Sequence, residues 1–103
     1  MYKVRKRDGR LTEFDLSRIS VAVTKAFVAT KTPQNPDIIN LLTLQVTADF
    51  APKVKDGEIS VEDIQDSVEA VLQRSGYAPV AKAYILYRKN REKLREIRST
   101  MLD

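Results

Sequence analysis

The stretch VRKRDGRLTEFDLSRI, residues 4–19, decides the fold at the start of the chain. Its Asp8-Gly9 dipeptide is typical of a type I′ turn, which needs positive φ at both central residues and joins two strands of a β-hairpin. A hairpin alone is marginal in water, so this one must pack on the rest of the chain. Side chains alternate between the faces of a strand, so Lys6 and Arg7 point in opposite directions and one of them faces the protein.

Four helical segments follow the hairpin, and each has a recognisable start. Asp15, Asn35 and Ser60 are predicted N-caps, because a short polar side chain accepts a hydrogen bond from the free N–H groups of a first helical turn. Pro79 marks the start of the fourth helix. The segment KVKDGEI, residues 53–59, is predicted to be a turn.

Helical spacing of apolar residues predicts which faces of the helices are buried. The first helix is expected to end at residue 29 or 30, the second near Pro52 and the third before Gly76. The apolar positions at helical spacing in the first helix are Leu16, Ile19, Val23, Ala26 and Phe27. The second helix carries Ile38, Leu41, Leu42, Leu44, Gln45 and Ala48. The predicted core stripe of the third helix is Ile64, Val68, Val71 and Leu72.

These elements predict an α+β fold in which a small N-terminal β-hairpin covers a four-helix bundle. The 103 residues suffice for one domain with one modest core. The fourth helix is apolar in its first half and strongly charged in its second, so only the first half has enough apolar surface to pack in a core. We assign residues 1–91 to a single domain and residues 92–103 to a charged helical extension or a linker to a following domain.

The residue types that are missing exclude most catalytic chemistry. The chain has no cysteine and no histidine, which removes disulfides, Cys-rich zinc sites and the commonest general base. It also lacks a GxxxxGK[ST] phosphate loop. We therefore expect a binding domain without catalytic residues or metal ligands of its own. No apolar run reaches the ~18 residues that span a bilayer, so the expected location is the cytoplasm, without membrane contact.

Positive charge is unevenly distributed along the chain, whose net charge is +4. The two basic runs consist of Lys3, Arg5, Lys6, Arg7 and Arg10, and of Arg88, Lys89, Arg91, Lys93, Arg95 and Arg98. Clustered charge of one sign predicts an anionic partner, which is either the phosphates of a nucleotide or nucleic acid.

Three basic residues near the hairpin are candidate phosphate ligands. An arginine fork beside a lysine, as in Lys6 and Arg7, suits the oxygens of a triphosphate. Arg18 lies in the first turn of the first helix, where free N–H groups and the helix dipole also favour an anion. On the fourth helix Tyr84 and Tyr87 share a face, where they are either core residues or a platform for a base. A solvated surface charge remains the alternative for each basic residue.

The chain resembles the ATP-cone in three segments that occur in the family's order: VRKRDGRLTEFDLSRI, VEDIQDSVEAVL and VAKAYILYRK. The ATP-cone is the nucleotide-binding regulatory domain found at the N-terminus of ribonucleotide reductases and in the bacterial repressor of their genes. The resemblance covers residues 2 to about 91 and implies a hairpin or three-stranded sheet over a four-helix bundle. It implies binding of ATP or dATP as an allosteric effector, with Mg²⁺ carried by the nucleotide.

The resemblance also implies roles for individual residues. The implied nucleotide contacts are Val4, Arg5, Lys6, Arg7, Thr12, Arg18, Tyr84, Tyr87 and Arg88. Val4 and Arg5 would lie on the adenine side of the pocket. Lys6, Arg7 and Arg18 would hold the phosphates. Tyr84, Tyr87 and Arg88 would line the pocket from the fourth helix. Thr12 stands where several family members carry an acidic residue that contacts the nucleotide.

The leading interpretation is an allosteric domain that controls the activity or oligomerisation of a ribonucleotide reductase, of the anaerobic or cobalamin-dependent type. The chain would be either an excised domain or a free-standing cone, with adenine nucleotides, the reductase catalytic domain or a second copy as partners. The alternative is a nucleotide-responsive transcriptional regulator or a nucleic-acid-binding module. Nucleic acid is the less favoured partner, because Glu92 and Glu96 interrupt the second basic run.

Overall fold

The protein is described by a computed structural model that covers residues 2–102. Its elements are β1 (Lys3–Arg5), β2 (Leu11–Glu13), α1 (Leu16–Ala29), α2 (Pro36–Phe50), β3 (Glu58–Ser60), α3 (Val61–Arg74) and α4 (Ala78–Leu102). A short 3₁₀ turn at Ala51–Lys53 extends α2. The predicted α+β class, with a small sheet over four helices, is confirmed.

The sheet has three strands in the order β2-β1-β3. Strand β1 pairs antiparallel with β2, with Val4 opposite Thr12, and parallel with β3, with Val4 opposite Ile59. The turn predicted for residues 53–59 is therefore wrong in its last two residues, which belong to β3. A three-residue strand with one buried side chain has too little periodicity to be recognised in a sequence, and its partner strand lies far away along the chain.

The hairpin turn differs from the predicted type I′ geometry. The Gly9 N–H donates to the Lys6 carbonyl at 2.9 Å, and Gly9 has φ +91°, but Asp8 does not have a positive φ. The connection is a three-residue loop with glycine in the left-handed position, another common way to close a hairpin. The Asp8 side chain instead accepts hydrogen bonds from the backbone and guanidinium of Arg10, at 3.0 and 2.7 Å.

The type I′ turn occurs at the second Asp-Gly dipeptide, immediately before β3. Asp56 and Gly57 both have positive φ, at 53° and 73°. The flanking Lys55 and Glu58 exchange two backbone hydrogen bonds of 3.0 and 2.9 Å. This tight reversal directs the chain into β3 and then, without a linker, into α3.

The predicted helix starts are confirmed by side-chain caps. The side chains of Asp15, Asn35 and Ser60 each accept a hydrogen bond from a backbone N–H of the following turn, at 3.0, 2.8 and 3.1 Å. Pro79 lies in the first turn of α4, and Gly76, with φ +85°, follows the end of α3. These local signals fix where each helix begins and how it leaves the sheet.

One apolar core joins the sheet to the helices. Its buried hydrophobic residues are Val4, Ile19, Val23, Ala26, Phe27, Ile39, Leu42, Val46, Phe50, Ile59, Ile64, Val68, Val71, Leu72, Val80, Ala81 and Tyr84. The predicted core of α3 is confirmed, and so is that of α1 except for Leu16, which is 39% exposed. Helix α4 packs on α1 and α3 with its first half, as its apolar pattern predicts.

The residues that the sequence singles out on α2 are only partly buried. Leu42 is buried and Ile38 packs half-buried against the core, whereas Leu41 and Leu44 are 52% and 59% exposed. Gln45 and Ala48 are exposed as well. Apolar residues occur on nearly every face of this helix, so its sequence does not single out one stripe. Packing selects the face that carries Ile39, Leu42, Thr43, Val46 and Phe50.

Three aromatic rings fasten the hairpin to the end of α2. Tyr2, Phe14 and Phe50 form a mutual edge-to-face cluster with ring centroids 5.7 to 6.0 Å apart. Tyr2 and Phe14 flank the two hairpin strands, and Phe50 is fully buried at the last residue of α2. The cluster therefore fixes the position of the hairpin, and with it the turn at Lys6.

Candidate functional site

A cleft lies between the hairpin turn, α1, α3 and α4, and has a volume of about 370 Å³. Its apolar wall consists of Ile19, Val21, Ala22, Val61, Ile64, Val68, Tyr84 and Tyr87. Its cationic residues are Lys6, Arg18, Lys25, Arg88, Arg91 and Arg95. Among the described residues that line this cavity, none is a carboxylate. We refer to it as the basic cleft.

Lys6 carries positive charge into the basic cleft from the hairpin turn. It is half-buried, and burial together with the nearby Arg18, Arg10 and Arg95 lowers the pKa of its amine, against a weaker opposing effect of Asp8. Like charges are therefore held close together at this end of the cleft. An anion placed here is attracted by all of them, and Lys6 is the one among them that is half-buried.

Arg18 reaches the same end of the cleft from the first turn of α1. Asp15 caps this helix and has a pKa below its ordinary value, because it accepts hydrogen bonds from the side chain and backbone of Ser17. The start of a helix carries partial positive charge from its free N–H groups, which adds to the charge of Arg18. The ionised Asp15 carboxylate offsets part of this partial charge, so the positive charge that α1 brings to this end of the cleft is mainly that of Arg18.

Tyrosines of α4 form the transition from the apolar wall to the charged rim. Tyr84 is 5% exposed, and burial raises the pKa of its hydroxyl to about 12. Tyr87, one turn further along, is 37% exposed. The guanidinium carbon of Arg91 lies 5.8 Å from the centroid of the Tyr87 ring, within the range of a cation–π contact. A planar apolar group has aromatic and aliphatic surface to pack on here.

Arg88 ties α4 to α3 at the edge of the cleft. Its Nη1 atom donates to Asp66 Oδ1 at 2.9 Å and to Glu69 Oε1 at 2.8 Å. Burial lowers the pKa of the guanidinium, but the two carboxylates outweigh this effect and raise it overall. The side chain is 18% exposed. Arg88 thus lines the cleft while much of its charge is balanced by α3.

Arg7 is not among the residues that line the basic cleft. Its Nε atom lies 3.0 Å from Glu62 Oε1 of α3, and its Nη1 atom lies 3.0 Å from Glu92 Oε1 of α4. The Arg7 side chain is 26% exposed. It therefore links the turn to two helices through one guanidinium.

The structure brings five of the sequence-predicted site residues together in the basic cleft: Lys6, Arg18, Tyr84, Tyr87 and Arg88. The other four lie outside its lining. Val4 is buried in the core, Thr12 is opposite it in β2, and Arg5 pairs with Glu58 of β3. Contact of these residues with a nucleotide stays a prediction.

Sequence reasoning missed four cleft residues as ligand candidates. Arg91 and Arg95 were assigned only to the second basic run, although they continue the helical spacing of Tyr84, Tyr87 and Arg88. That i, i+3, i+4 spacing is the signal that identifies them. Lys25 follows Arg18 by seven residues, which is two turns of α1, so helical spacing also places these two cations on one face. Gln65 of α3 has a buried Oε1 atom without a hydrogen-bond partner in the described part of the chain.

The described residues contain neither a metal-binding cluster nor a membrane-spanning helix. Between residues 2 and 102, no cluster of three or more histidine, cysteine or acidic side chains is arranged to hold a metal ion. No described helix has the length and apolar character needed to cross a membrane.

The fold and the cleft define a small α+β binding domain whose site combines an apolar wall with a rim of cations. The family model named ATP cone domain matches residues 2–93. The chain therefore belongs to the ATP-cone family, whose members are regulatory domains of ribonucleotide reductases and are known for allosteric regulation by nucleotides. The predicted family is confirmed.

Curated relatives carry the same domain within longer chains. The chain is 42% identical over 101 residues to the vitamin B12-dependent ribonucleoside-diphosphate reductase of Mycobacterium tuberculosis, covering 96% of this chain and 14% of that protein. It is 41% identical over 96 residues to the ribonucleoside-diphosphate reductase subunit alpha of Chlamydia pneumoniae, covering 87% and 9%. It is 35% identical over 103 residues to the anaerobic ribonucleoside-triphosphate reductase of Haemophilus influenzae, covering 97% and 14%. It thus spans about a seventh or less of these relatives.

Proposed function

We propose that the chain binds ATP or dATP in the basic cleft and acts as an allosteric domain. The observation that carries the proposal is the composition of the cleft, which has six cations, no carboxylate among its described lining residues, and two tyrosines beside an apolar wall. A nucleoside triphosphate has the matching chemistry, with a planar base at one end and several negative charges at the other. ATP-cone domains bind nucleotide effectors in general.

The charge distribution suggests the orientation of the nucleotide. The adenine packs between the α1 and α3 side chains and Tyr84, because this part of the cleft is apolar. The triphosphate extends toward Lys6 and Arg18, where the like charges meet. Mg²⁺ arrives on the phosphates rather than on protein ligands, because a hard cation needs oxygen ligands and the triphosphate supplies them.

The nucleotide would regulate the activity of a partner protein if its binding changes how the domain docks on that partner. We infer that the partner is the catalytic region of a ribonucleotide reductase or a second copy of the domain. ATP and dATP differ only by the 2′-hydroxyl, so different responses require contacts that differ between the two complexes. Each nucleotide can shift the equilibrium between the docked and undocked domain only by the difference between its binding free energies to these two states.

Calorimetric titration of the chain with Mg²⁺-ATP and Mg²⁺-dATP tests the proposal. We expect saturable binding, and we expect CTP and UTP to bind more weakly if the apolar wall selects adenine. Absence of heat up to millimolar nucleotide, in a folded sample, would refute nucleotide binding. Sedimentation with and without each nucleotide then measures whether the domain self-associates.

A DNA-binding assay separates this proposal from the nucleic-acid alternative. Binding to DNA through the basic runs would weaken steeply with salt, because phosphate contacts release counterions. We expect little DNA binding at 150 mM salt and no competition between DNA and ATP. Tight DNA binding that ATP does not affect would favour a nucleic-acid-binding module instead.

A further inference from the structure

The charged extension of α4 forms part of the basic cleft. Tyr84, Tyr87, Arg88, Arg91 and Arg95 line the cleft from successive turns of this helix. With a rise of 1.5 Å per residue, the Cα atoms of Tyr84 and Arg95 are roughly 16 Å apart along the helix axis. The same side of α4 therefore starts beside the apolar wall and ends among cations. One ligand that runs along the helix meets both ends in order.

Arg95 belongs to the cationic end. It lines the cleft together with Lys6 and Arg18, and its charge contributes to the lowered pKa of the Lys6 amine. These three cations come from three different elements: the hairpin turn, α1 and α4. Their mutual repulsion opposes closer packing of the three elements until an anion of several charges lies between them.

An ion pair on the adjacent flank of the helix holds the extension near this point. Glu92, three residues before Arg95, accepts the Arg7 guanidinium at 3.0 Å. Residues three apart on a helix lie on adjacent turns. The hairpin turn therefore contacts the extension twice, by attraction through Arg7 and by repulsion through Lys6. A phosphate group between Lys6 and Arg95 would attract both cations and so offset their repulsion.

We propose that Arg95 contacts the terminal phosphates and thereby makes the cleft sensitive to the number of phosphates, with the α4 extension drawn onto the hairpin turn when ATP is bound. AMP, whose single phosphate is nearer to the base, leaves Arg95 without a ligand. This inference rests on the proposed nucleotide site and adds to it a residue that reads phosphate number and an element that responds.

Affinity for ATP, ADP and AMP in matched variants tests the role of Arg95. Arg95→Gln removes one charge that lines the cleft, and Lys93→Gln removes one charge two residues away, about 200° around the helix. We expect Arg95→Gln to lower the affinity for ATP on the order of tenfold and the affinity for AMP less than twofold. Lys93→Gln should weaken binding of each of the three nucleotides less than twofold, because its charge lies away from the cleft. Equal losses for ATP and AMP in Arg95→Gln, or no loss for either, would overturn the inference.

Hydrogen exchange of the extension provides the second readout. We expect ATP to slow amide exchange of residues 92–98 in the unmodified chain, AMP to leave it unchanged, and Arg95→Gln to remove the effect of ATP. Binding of ATP with unchanged exchange there would reject the responding extension and leave the nucleotide site intact. Failure of the unmodified chain to bind any of the three nucleotides would reject the nucleotide site and this inference together.

Discussion

Lys6 and Arg7 are adjacent in the hairpin turn, yet their side chains serve two different sites. Lys6 lines the basic cleft, whereas Arg7 bridges Glu62 and Glu92 with two contacts of 3.0 Å. Both side chains point towards helices, since Lys6 lies beside residues of α1 and α4 while Arg7 contacts α3 and α4. Lys6 is therefore a cation available to a ligand, whereas the charge of Arg7 is already balanced by two carboxylates.

Replacement of each residue by alanine should separate these two roles. We expect Lys6→Ala to weaken ATP binding by about 1.5–3 kcal/mol, because it removes a charge-assisted contact to phosphate. Adenosine binding should be nearly unchanged. Arg7→Ala should weaken ATP less and lower the free energy of unfolding more, because it leaves Glu62 and Glu92 without their partner. Calorimetry with ATP and adenosine, combined with urea unfolding, measures both effects.

The reverse pattern would contradict this assignment. A larger loss of ATP affinity in Arg7→Ala than in Lys6→Ala, with stability unchanged, would mean that Arg7 exchanges its carboxylates for phosphate. In that case the phosphate role predicted for Arg7 from the family resemblance would be the better description.

Arg88 is expected to contribute mainly to stability. Arg88→Ala leaves Asp66 and Glu69 close together without a cation, and the pair is partly shielded from solvent. We expect a loss of about 1–2 kcal/mol in the free energy of unfolding. Lys82→Ala, which removes an exposed cation from the same helix, should cost less than about 0.5 kcal/mol. Equal values for the two variants, measured by urea unfolding, would show that the Arg88 ion pairs add nothing.

Local signals were enough to predict the helix starts and that some side chains share one face of α4. Asp15, Asn35 and Ser60 act within one helical turn of their own positions, so the sequence determines them directly. The spacing of Tyr84 and Tyr87 likewise places both on one face of α4. These features need no knowledge of the tertiary structure.

Features that depend on distant partners could not be predicted in the same way. Strand β3 exists because Ile59 pairs beside Val4, which no local pattern indicates. The buried face of α2 is determined by its neighbours rather than by its own apolar pattern, because the equally apolar Leu42 and Leu44 are buried and exposed, respectively. The exclusion of Arg7 from the cleft depends on Glu62 and Glu92, which are close only in the folded chain.

The buried ring of Phe50 should control the placement of the hairpin. We expect Phe50→Leu to lower the free energy of unfolding by about 1–2 kcal/mol, because it removes two aromatic contacts from a fully buried site. ATP affinity should fall as well, since the turn that carries Lys6 loses its support. Leu44→Ala on the same helix is the control, with an expected cost below about 0.5 kcal/mol at an exposed position. Equal costs would contradict the role of the cluster.

Tyr84 should make stability depend on pH above about pH 10. Its pKa in the folded chain is about 12, whereas an exposed tyrosine has a pKa near 10. The unfolded chain therefore releases this proton first, and the stability present below about pH 10 is lost as the pH rises through 12. The total change is about 3 kcal/mol. Urea unfolding between pH 8 and 11 should show a steeper decline for the unmodified chain than for Tyr84→Phe. Identical declines would mean that Tyr84 ionises like an exposed tyrosine.

Lys6 should make ATP binding depend on pH in the alkaline range. Burial and neighbouring cations lower the pKa of its amine in the free chain, and phosphates bound beside it would raise that pKa again. The complex then holds this proton more tightly than the free chain does. Affinity is therefore greatest below the lowered pKa and falls as the pH rises through it, with proton uptake on binding. Calorimetry in buffers of different ionisation enthalpy, above about pH 8, measures both effects. Lys6→Arg is the matched control, because its guanidinium stays charged throughout this range and should give a flatter profile. Identical pH profiles for the two proteins would exclude Lys6 as the titrating contact.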